Sequence, residues 1–200
     1  MLTESDEPVF VGRGGRKLLH ALNTFSLDPA GYVCADLGCN IGGFTDCLLQ
    51  CAAQRVYAID TGYGALAWKL RQDDRVVVME RTNALHTDPA EPVDLAVIDL
   101  GWTPQKHAIP AALKWIKMSG RIISLVKPHY ELEPDEKRLL SKGVLTEEQS
   151  VRLAERSRER MTHLGARVIG WTRSPLAGGA SKGRKGNTEF LALLAPTGGA

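Results

Sequence analysis

One segment of this chain reads Asp36-Leu37-Gly38-Cys39-Asn40-Ile41-Gly42-Gly43-Phe44-Thr45-Asp46. It continues an apolar run, residues 32–37, that is typical of a buried strand, and it leads directly into a helix-compatible pattern. Glycines in such a turn let the backbone approach a ligand and adopt dihedral angles that other residues avoid. The segment therefore predicts a ligand-binding loop at the carboxyl end of the first strand of an α/β sheet.

The spacing of the glycines narrows the class of ligand. It is Gly-x-x-x-Gly-Gly, which differs from the Gly-x-Gly-x-x-Gly of dinucleotide sites and lacks the Gly-Lys-Ser/Thr of a P-loop. A carboxylate at Asp36 would repel a pyrophosphate, but it suits a cationic amino-acid group. S-adenosylmethionine therefore fits this loop better than a dinucleotide does. The expected cofactor contacts are Asp36, Gly38, Asn40, Gly42, Gly43, Phe44, Asp60, Asn83 and Asp99.

Two of these contacts follow later strands. Asp60 ends the second predicted strand, where a carboxylate can accept hydrogen bonds from ribose hydroxyls. Its alternative role is to cap a helix, since Thr61 and Gly62 follow it. Asn83 follows the third strand and is expected to contact the adenine edge, while a simple turn residue is the alternative.

Short β-rich runs alternate with longer helix-compatible runs, which predicts a parallel sheet covered by helices. The last two β-rich runs are joined by a basic glycine-rich loop, residues 177–186, instead of a helix, so we expect them to pair antiparallel. This is the pattern of a Rossmann-like class I methyltransferase: an α/β fold with a seven-stranded, mostly parallel sheet in the order 3-2-1-4-5-7-6 and helices on both faces. The predicted strands are 32–37, 55–59, 76–79, 95–100, 121–126, 166–172 and 189–194, and the predicted helices are 43–51, 65–71, 105–117 and 146–164.

Length and composition fit a single methyltransferase domain, because 200 residues with 44% hydrophobic content can bury one core. We expect a helical N-terminal segment (1–30), a Rossmann-like core (31–196) and a disordered tail (197–200). The acidic start and the lack of a long apolar run predict a cytoplasmic protein without membrane contact. The four cysteines fall on a predicted strand, its turn and a helix, so we expect free thiols and no bound metal. They are Cys34, Cys39, Cys47 and Cys51.

Polar residues at the ends of other strands predict a catalytic cluster. Asp99 and Lys127 lie at the ends of the fourth and fifth strands, and Glu189 begins the seventh. In the expected order the seventh strand runs opposite to the fifth, so its start lies at the same edge of the sheet. Lys17, on the N-terminal segment, can reach that edge from the side. A lysine at the end of a buried strand is unfavourable unless it is paired or solvated in a cleft, which favours function; a structural ion-pair network is the alternative.

Collinear segments along nearly the whole chain carry a resemblance to a known family. They are residues 13–18, 36–38, 42–49, 68–71, 75–83, 126–128, 142–144 and 186–190. With them the chain resembles the FtsJ-type RNA 2′-O-methyltransferase family and, within it, the hemolysin A (TlyA)-like group. The resemblance implies a Lys-Asp-Lys-Glu tetrad at Lys17, Asp99, Lys127 and Glu189, the same residues that the sheet geometry selects.

The sequence departs from the group in ways that bear on the choice of RNA. The group carries an N-terminal S4-like RNA-binding module with no counterpart in this sequence, so we consider a separate RNA-delivering protein as a partner. After the fourth strand the chain reads Asp99-Leu100-Gly101-Trp102 instead of Asp-Val-Ser-Phe. After the fifth it reads Lys127-Pro128-His129-Tyr130-Glu131 instead of Lys-Pro-Gln-Phe-Glu.

The resemblance implies an S-adenosylmethionine-dependent methyltransferase that acts on a ribose 2′-hydroxyl of structured RNA, with ribosomal RNA as the expected substrate. We expect Lys127 to take the hydroxyl proton, with its pKa lowered by the nearby cation Lys17 and by burial. Asp99 would orient Lys127, while Lys17 and Glu189 would hold the ribose. The sequence leaves open which of the two lysines acts as the base.

Two basic clusters, one near each end of the chain, are expected to meet at the rim of the site and contact RNA phosphates. They comprise Arg13, Arg16, Lys182, Arg184 and Lys185. Trp102 and Tyr130 could stack on a flipped base or serve as lid or core residues. A small-molecule methyltransferase, which needs no basic rim, and a catalytically silent RNA-binding protein on the same fold are the alternatives.

Overall fold

The computed structural model describes residues 9–179 and 185–197. Within them the strands are β1 (Val33–Leu37), β2 (Arg55–Ile59), β3 (Val76–Met79), β4 (Val93–Ile98), β5 (Ile116–Val126), β6 (Ala166–Arg173) and β7 (Phe190–Pro196). They form one sheet in the order β3-β2-β1-β4-β5-β7-β6. Neighbouring strands from β3 to β5 are parallel, and β7 is antiparallel to both β5 and β6. The predicted strand order and the antiparallel terminal pair are confirmed.

Helices cover both faces of this sheet. They are α1 (Gly14–Thr24), α2 (Gly43–Gln50), α3 (Trp68–Arg71), α4 (Gln105–Trp115) and α5 (Glu147–Met161). On one face, Leu18 of α1 and Leu48 of α2 share a buried cluster with Val56 of β2. On the other face, Trp115 of α4 and Met161 of α5 share a second cluster with apolar strand residues. Burial of apolar surface on both sides explains why the strands are almost uniformly apolar, and the predicted two-sided layering is confirmed.

Several element bounds differ from those predicted. Strand β4 begins at Val93 instead of residue 95, and β5 begins at Ile116 instead of residue 121. The reason is an irregularity: Val93 pairs with Ile116, whereas Leu95 pairs with Arg121, so the long strand bulges between these contacts. Two 3₁₀ helices, Pro128–Tyr130 and Pro134–Leu139, were not predicted. Each begins at a proline, whose fixed φ suits the first helical position.

The carboxyl edge of the sheet collects the polar strand ends. Gly38 leaves β1 with φ +94°, and a Cβ there would lie 2.8 Å from the carbonyl oxygen of Asp99, so the two loops pass too closely for any other residue. Phe190 opens β7 at the same edge, because it pairs with Val126 at the end of β5. None of the described helices is long and apolar enough to cross a membrane.

Candidate active site

A cavity of about 1030 Å³ opens along this edge. The four residues of the predicted tetrad all line it, although they come from distant parts of the chain. So do six of the predicted cofactor contacts besides Asp99. They are Gly38, Asn40, Gly43, Phe44, Asp60 and Asn83.

The tetrad forms two ion pairs. Lys17 Nζ lies 2.5 Å from Glu189 Oε2, with side-chain exposures of 10% and 3%. Lys127 Nζ lies 2.5 Å from Asp99 Oδ1 and also donates a hydrogen bond of 3.1 Å to the carbonyl oxygen of Leu100. Charges this buried are unfavourable unless they are paired, and the geometry meets that requirement for both lysines.

The two pairs are also coupled to each other. Burial raises the pKa of the Glu189 carboxyl, while the cations Lys17 and Lys127 act to lower that pKa and the carboxylate of Asp99 acts to raise it. All four side chains therefore lie within electrostatic reach of one another. A cluster of this kind suits the holding of a polar substrate and the movement of a proton.

Lys127 is held at the cavity wall by several contacts. Its Nζ is paired with Asp99, donates a hydrogen bond to the carbonyl oxygen of Leu100 and lies 5.5 Å from the centroid of the Tyr130 ring. An ammonium nitrogen has three N–H donors, so these contacts leave capacity for a hydrogen bond to a substrate oxygen.

The cofactor side of the cavity is built by the ends of β2 and β3. Asp60 Oδ2 accepts a hydrogen bond of 2.8 Å from the N–H of Asn40, and Oδ1 accepts one of 2.7 Å from the N–H of Gly62. Asp60 does not cap a helix, because α3 begins at Trp68. Asn83 is exposed, and its Oδ1 accepts a hydrogen bond from the N–H of Leu85, so it does have the turn role.

Two predicted cofactor contacts, Asp36 and Gly42, are not among the residues that line the cavity. Side chains alternate along a strand, and Asp36 points to the face covered by α2, where it accepts hydrogen bonds from Thr45 N and Oγ1. Burial raises the pKa of Asp36 to about 7. Gly42 has φ +98° and faces Leu66 and Leu70. Both residues therefore support the loop from the side that does not face the cavity.

The described residues include only part of the predicted basic rim. Arg13 lines the cavity and donates a hydrogen bond of 3.1 Å to the carbonyl oxygen of Ala177. Arg16 is exposed but does not line the cavity, and Lys185 is exposed. Lys182 and Arg184 lie outside the described residues, as does most of the predicted tail.

Sequence reasoning gave no role to Asn187, which lines the same cavity. Its Oδ1 accepts a hydrogen bond of 2.9 Å from Leu145 N, and its Nδ2 donates one of 2.9 Å to the carbonyl oxygen of Gly143. Its backbone pairs with Gly178 through two further hydrogen bonds. Asn187 therefore joins three segments beside Glu189, and its proximity to Glu189 in the sequence is the signal that could have found it.

Three aromatic side chains lie at the mouth of the cavity. Trp102 is 86% exposed, and its ring centroid is 5.1 Å from that of Tyr130. The ring of Tyr130 is in turn 4.2 Å from that of His129. Burial, together with the nearby charge of Lys127, lowers the pKa of His129 to about 4, so this imidazole is neutral at physiological pH.

Cys39 lines the cavity, and the other three cysteines do not. Cys34, Cys39 and Cys47 are buried free thiols, and Cys51 is half-buried. A hydrogen bond with Cys47 lowers the pKa of Cys51 to about 7.

Comparisons with known proteins agree with this architecture. The sequence matches the family described as FtsJ-like methyltransferase over residues 10–194. The 16S/23S rRNA (cytidine-2′-O)-methyltransferase TlyA of Mycobacterium tuberculosis is 37% identical over 203 residues, which cover 97% of this chain and 71% of that protein. Hemolysin A of Brachyspira hyodysenteriae is 32% identical over 189 residues, which cover 92% of this chain and 75% of that protein.

A solved structure from Streptococcus thermophilus, described as a candidate hemolysin, superposes with a TM-score of 0.87 at 34% identity and covers 98% of this chain and 70% of that one. The fold, the sequence match and the relatives all point to the same group of proteins. The chain therefore belongs to the FtsJ-like methyltransferase family, in the group that includes TlyA and hemolysin A.

Proposed function

We propose that this chain transfers a methyl group from S-adenosylmethionine to a ribose 2′-hydroxyl of ribosomal RNA. The observation that carries the proposal is the presence of two ion pairs, Lys17–Glu189 and Lys127–Asp99, facing one cavity beside a glycine-rich loop. The Mycobacterium tuberculosis relative is described as acting on cytidine in 16S and 23S rRNA, and a Campylobacter jejuni relative as acting on 23S rRNA. Ribosomal RNA is therefore the substrate to test first.

The residues of the cofactor wall fit S-adenosylmethionine. Each oxygen of Asp60 accepts one backbone N–H and keeps lone-pair capacity, which suits the ribose hydroxyls of the cofactor. Asn83 would contact the adenine. The methionine part would lie against the loop residues that line the cavity, which are Gly38, Asn40, Gly43 and Phe44. When bound, the cofactor supplies an electrophilic methyl group on a sulfonium.

The tetrad would supply the remaining chemistry. An in-line displacement needs an acceptor oxygen that is held in position and loses its proton during attack. Lys127, as the neutral amine, would accept the proton of that oxygen and become the ammonium, while Asp99 and the carbonyl of Leu100 hold its nitrogen in place. Lys17 and Glu189 hold the ribose hydroxyls through the donor and acceptor capacity that their ion pair leaves unused.

The test is methylation of unmodified 16S and 23S rRNA with labelled S-adenosylmethionine, followed by mapping of alkali-resistant linkages. Lys127→Ala should lower the rate by about 10²–10⁴-fold, the range for loss of a general acid–base group. The control is Lys114→Ala, which removes an exposed lysine near the end of α4, close to the amino end of β5. Cofactor binding and thermal unfolding of each variant are measured in parallel. A folded Lys127→Ala protein that methylates at the parental rate would refute the catalytic assignment.

A further inference from the structure

We propose that the turn formed by residues 141–144 is a phosphate-binding element, with Lys142 contacting the backbone of the RNA strand that carries the target ribose. This inference rests on the proposed function and deepens it, because it adds an RNA contact that the basic clusters of the sequence did not include. The ligand chemistry is a phosphodiester of an RNA chain.

The turn has an unusual backbone for a lysine. Ser141 and Val144 are bridged by two hydrogen bonds of 3.0 Å, and between them Lys142 has φ +51° and Gly143 has φ +81°. Two consecutive left-handed residues are typical of a type I′ turn, in which asparagine and glycine are favoured because other side chains meet the backbone. An exposed lysine held in this conformation is an outlier of the kind that clusters at ligand-binding positions.

Hydrogen bonds connect the turn to residues of the active-site cavity. Gly143 lines the cavity, and its carbonyl oxygen accepts the hydrogen bond from Asn187 Nδ2. Asn187 also pairs with Gly178 through its backbone, and the neighbouring Ala177 accepts the hydrogen bond from Arg13. Hydrogen bonds thus join four stretches of chain, at Arg13, residues 143–145, residues 177–178 and Asn187, into one rim that lies next to Glu189. A substrate that enters the cavity from this side passes the turn.

The charges along this rim favour a polyanion. Lys142 and Lys185 are both exposed, and among the ion pairs of the described residues neither lysine has a carboxylate partner. Of the two carboxylates that begin α5 after the turn, Glu147 is paired with Arg173, while Glu148 is exposed. The rim therefore presents lysines on its outer side, while the acid Glu189 stays buried with Lys17. Lysines arranged in this way attract RNA through its phosphates and read no base.

The experiment measures binding of unmodified 23S rRNA transcript to the full chain at several salt concentrations between about 50 and 200 mM, without cofactor. Lys142→Asn removes the charge while supplying a residue that accepts a left-handed backbone. Lys142→Arg keeps the charge, and Lys114→Asn removes a lysine elsewhere on the surface. Thermal unfolding of all three variants shows whether each is folded.

We expect Lys142→Asn to reduce the slope of log Kd against log salt by about 0.7 to 0.9, the value for one lost phosphate contact. Its KM for RNA should rise severalfold with kcat nearly unchanged, because the contact is made equally before and during the reaction. Lys142→Arg and Lys114→Asn should keep the parental slope. The inference is overturned if folded Lys142→Asn keeps the parental slope, or if Lys114→Asn loses as much.

The outcomes also separate the two proposals. A parental chain that methylates rRNA while Lys142→Asn binds like the parent leaves the proposed function standing and removes the inference alone. A parental chain that neither binds nor methylates rRNA contradicts the proposed function, and the inference is rejected with it.

Discussion

Replacement of Gly38 by alanine should lower both the free energy of unfolding and the rate of methylation, because the new methyl group would contact the loop after β4. Gly38 has φ +94°, and a Cβ there would lie 2.8 Å from the carbonyl oxygen of Asp99 and 3.2 Å from the Cα of Leu100. Both are backbone atoms, so they can yield only if the loop after β4 moves. That loop holds Asp99 Oδ1 and the carbonyl oxygen of Leu100, the two acceptors that direct Lys127.

The size of the effect follows from two contributions. A non-glycine residue with left-handed φ costs roughly 1–2 kcal/mol. Forcing a methyl group against packed atoms costs about 1–3 kcal/mol more. Gly38→Ala should therefore lower the free energy of unfolding by about 2–5 kcal/mol, which leaves a domain of ordinary stability weakened but folded.

Gly31→Ala is a matched control that separates the two contributions. Gly31 has φ +75°, and a Cβ there meets nothing within 4 Å, so this variant carries the dihedral cost alone. Urea denaturation of both variants gives the difference in unfolding free energy, and initial rates of rRNA methylation give the effect on the site. The reasoning is refuted if the two variants lose equal stability and Gly38→Ala keeps the parental rate.

Three further changes test other parts of the site. A Cβ at Gly178 would overlap Glu189 Oε1, so Gly178→Ala should displace this carboxylate from Lys17 and slow methylation about tenfold or more. Gly101→Ala, whose Cβ meets nothing within 4 Å, should keep the parental rate, and equal rates for the two variants would contradict the contact. Lys17→Met should lower the free energy of unfolding by about 3–5 kcal/mol, because Glu189 becomes an unpaired buried charge. The double variant with Glu189→Leu should regain most of that stability in urea denaturation without regaining activity, and a double variant as unstable as the single one would count against the ion pair. Because burial raises the pKa of Asp36 from 3.8 to about 7, the folded state binds more protons than the unfolded state between these values, and stability should fall as pH rises through this window by on the order of 1 kcal/mol per unit. Asp36→Asn should abolish that fall in thermal unfolding measured from pH 4 to 7, and parallel pH profiles for the parent and variant would disprove it.

Much of the fold could be predicted because its signals are local. Apolar runs such as residues 55–59 and 76–79 indicate strands with the bounds that the structure has, although the edge strand β3 is only partly buried. The bound at residue 121 was wrong because Ile116, directly after α4, pairs across the sheet with Val93. The sequence pattern of residues 117–120 gives no indication of that pairing.

The sequence by itself determined which residues lie at the strand ends, and therefore that Asp99, Lys127 and Glu189 would share one edge. The ends of aligned parallel strands meet at one edge, and an antiparallel strand begins there. Tertiary structure alone decided that Asp36 turns to the helix-covered face and that Asn187 ties the turn at residues 141–144 to Gly178. A strand's two faces are equivalent until helices cover them, and a hydrogen bond between residues some 40 positions apart depends on how the chain packs.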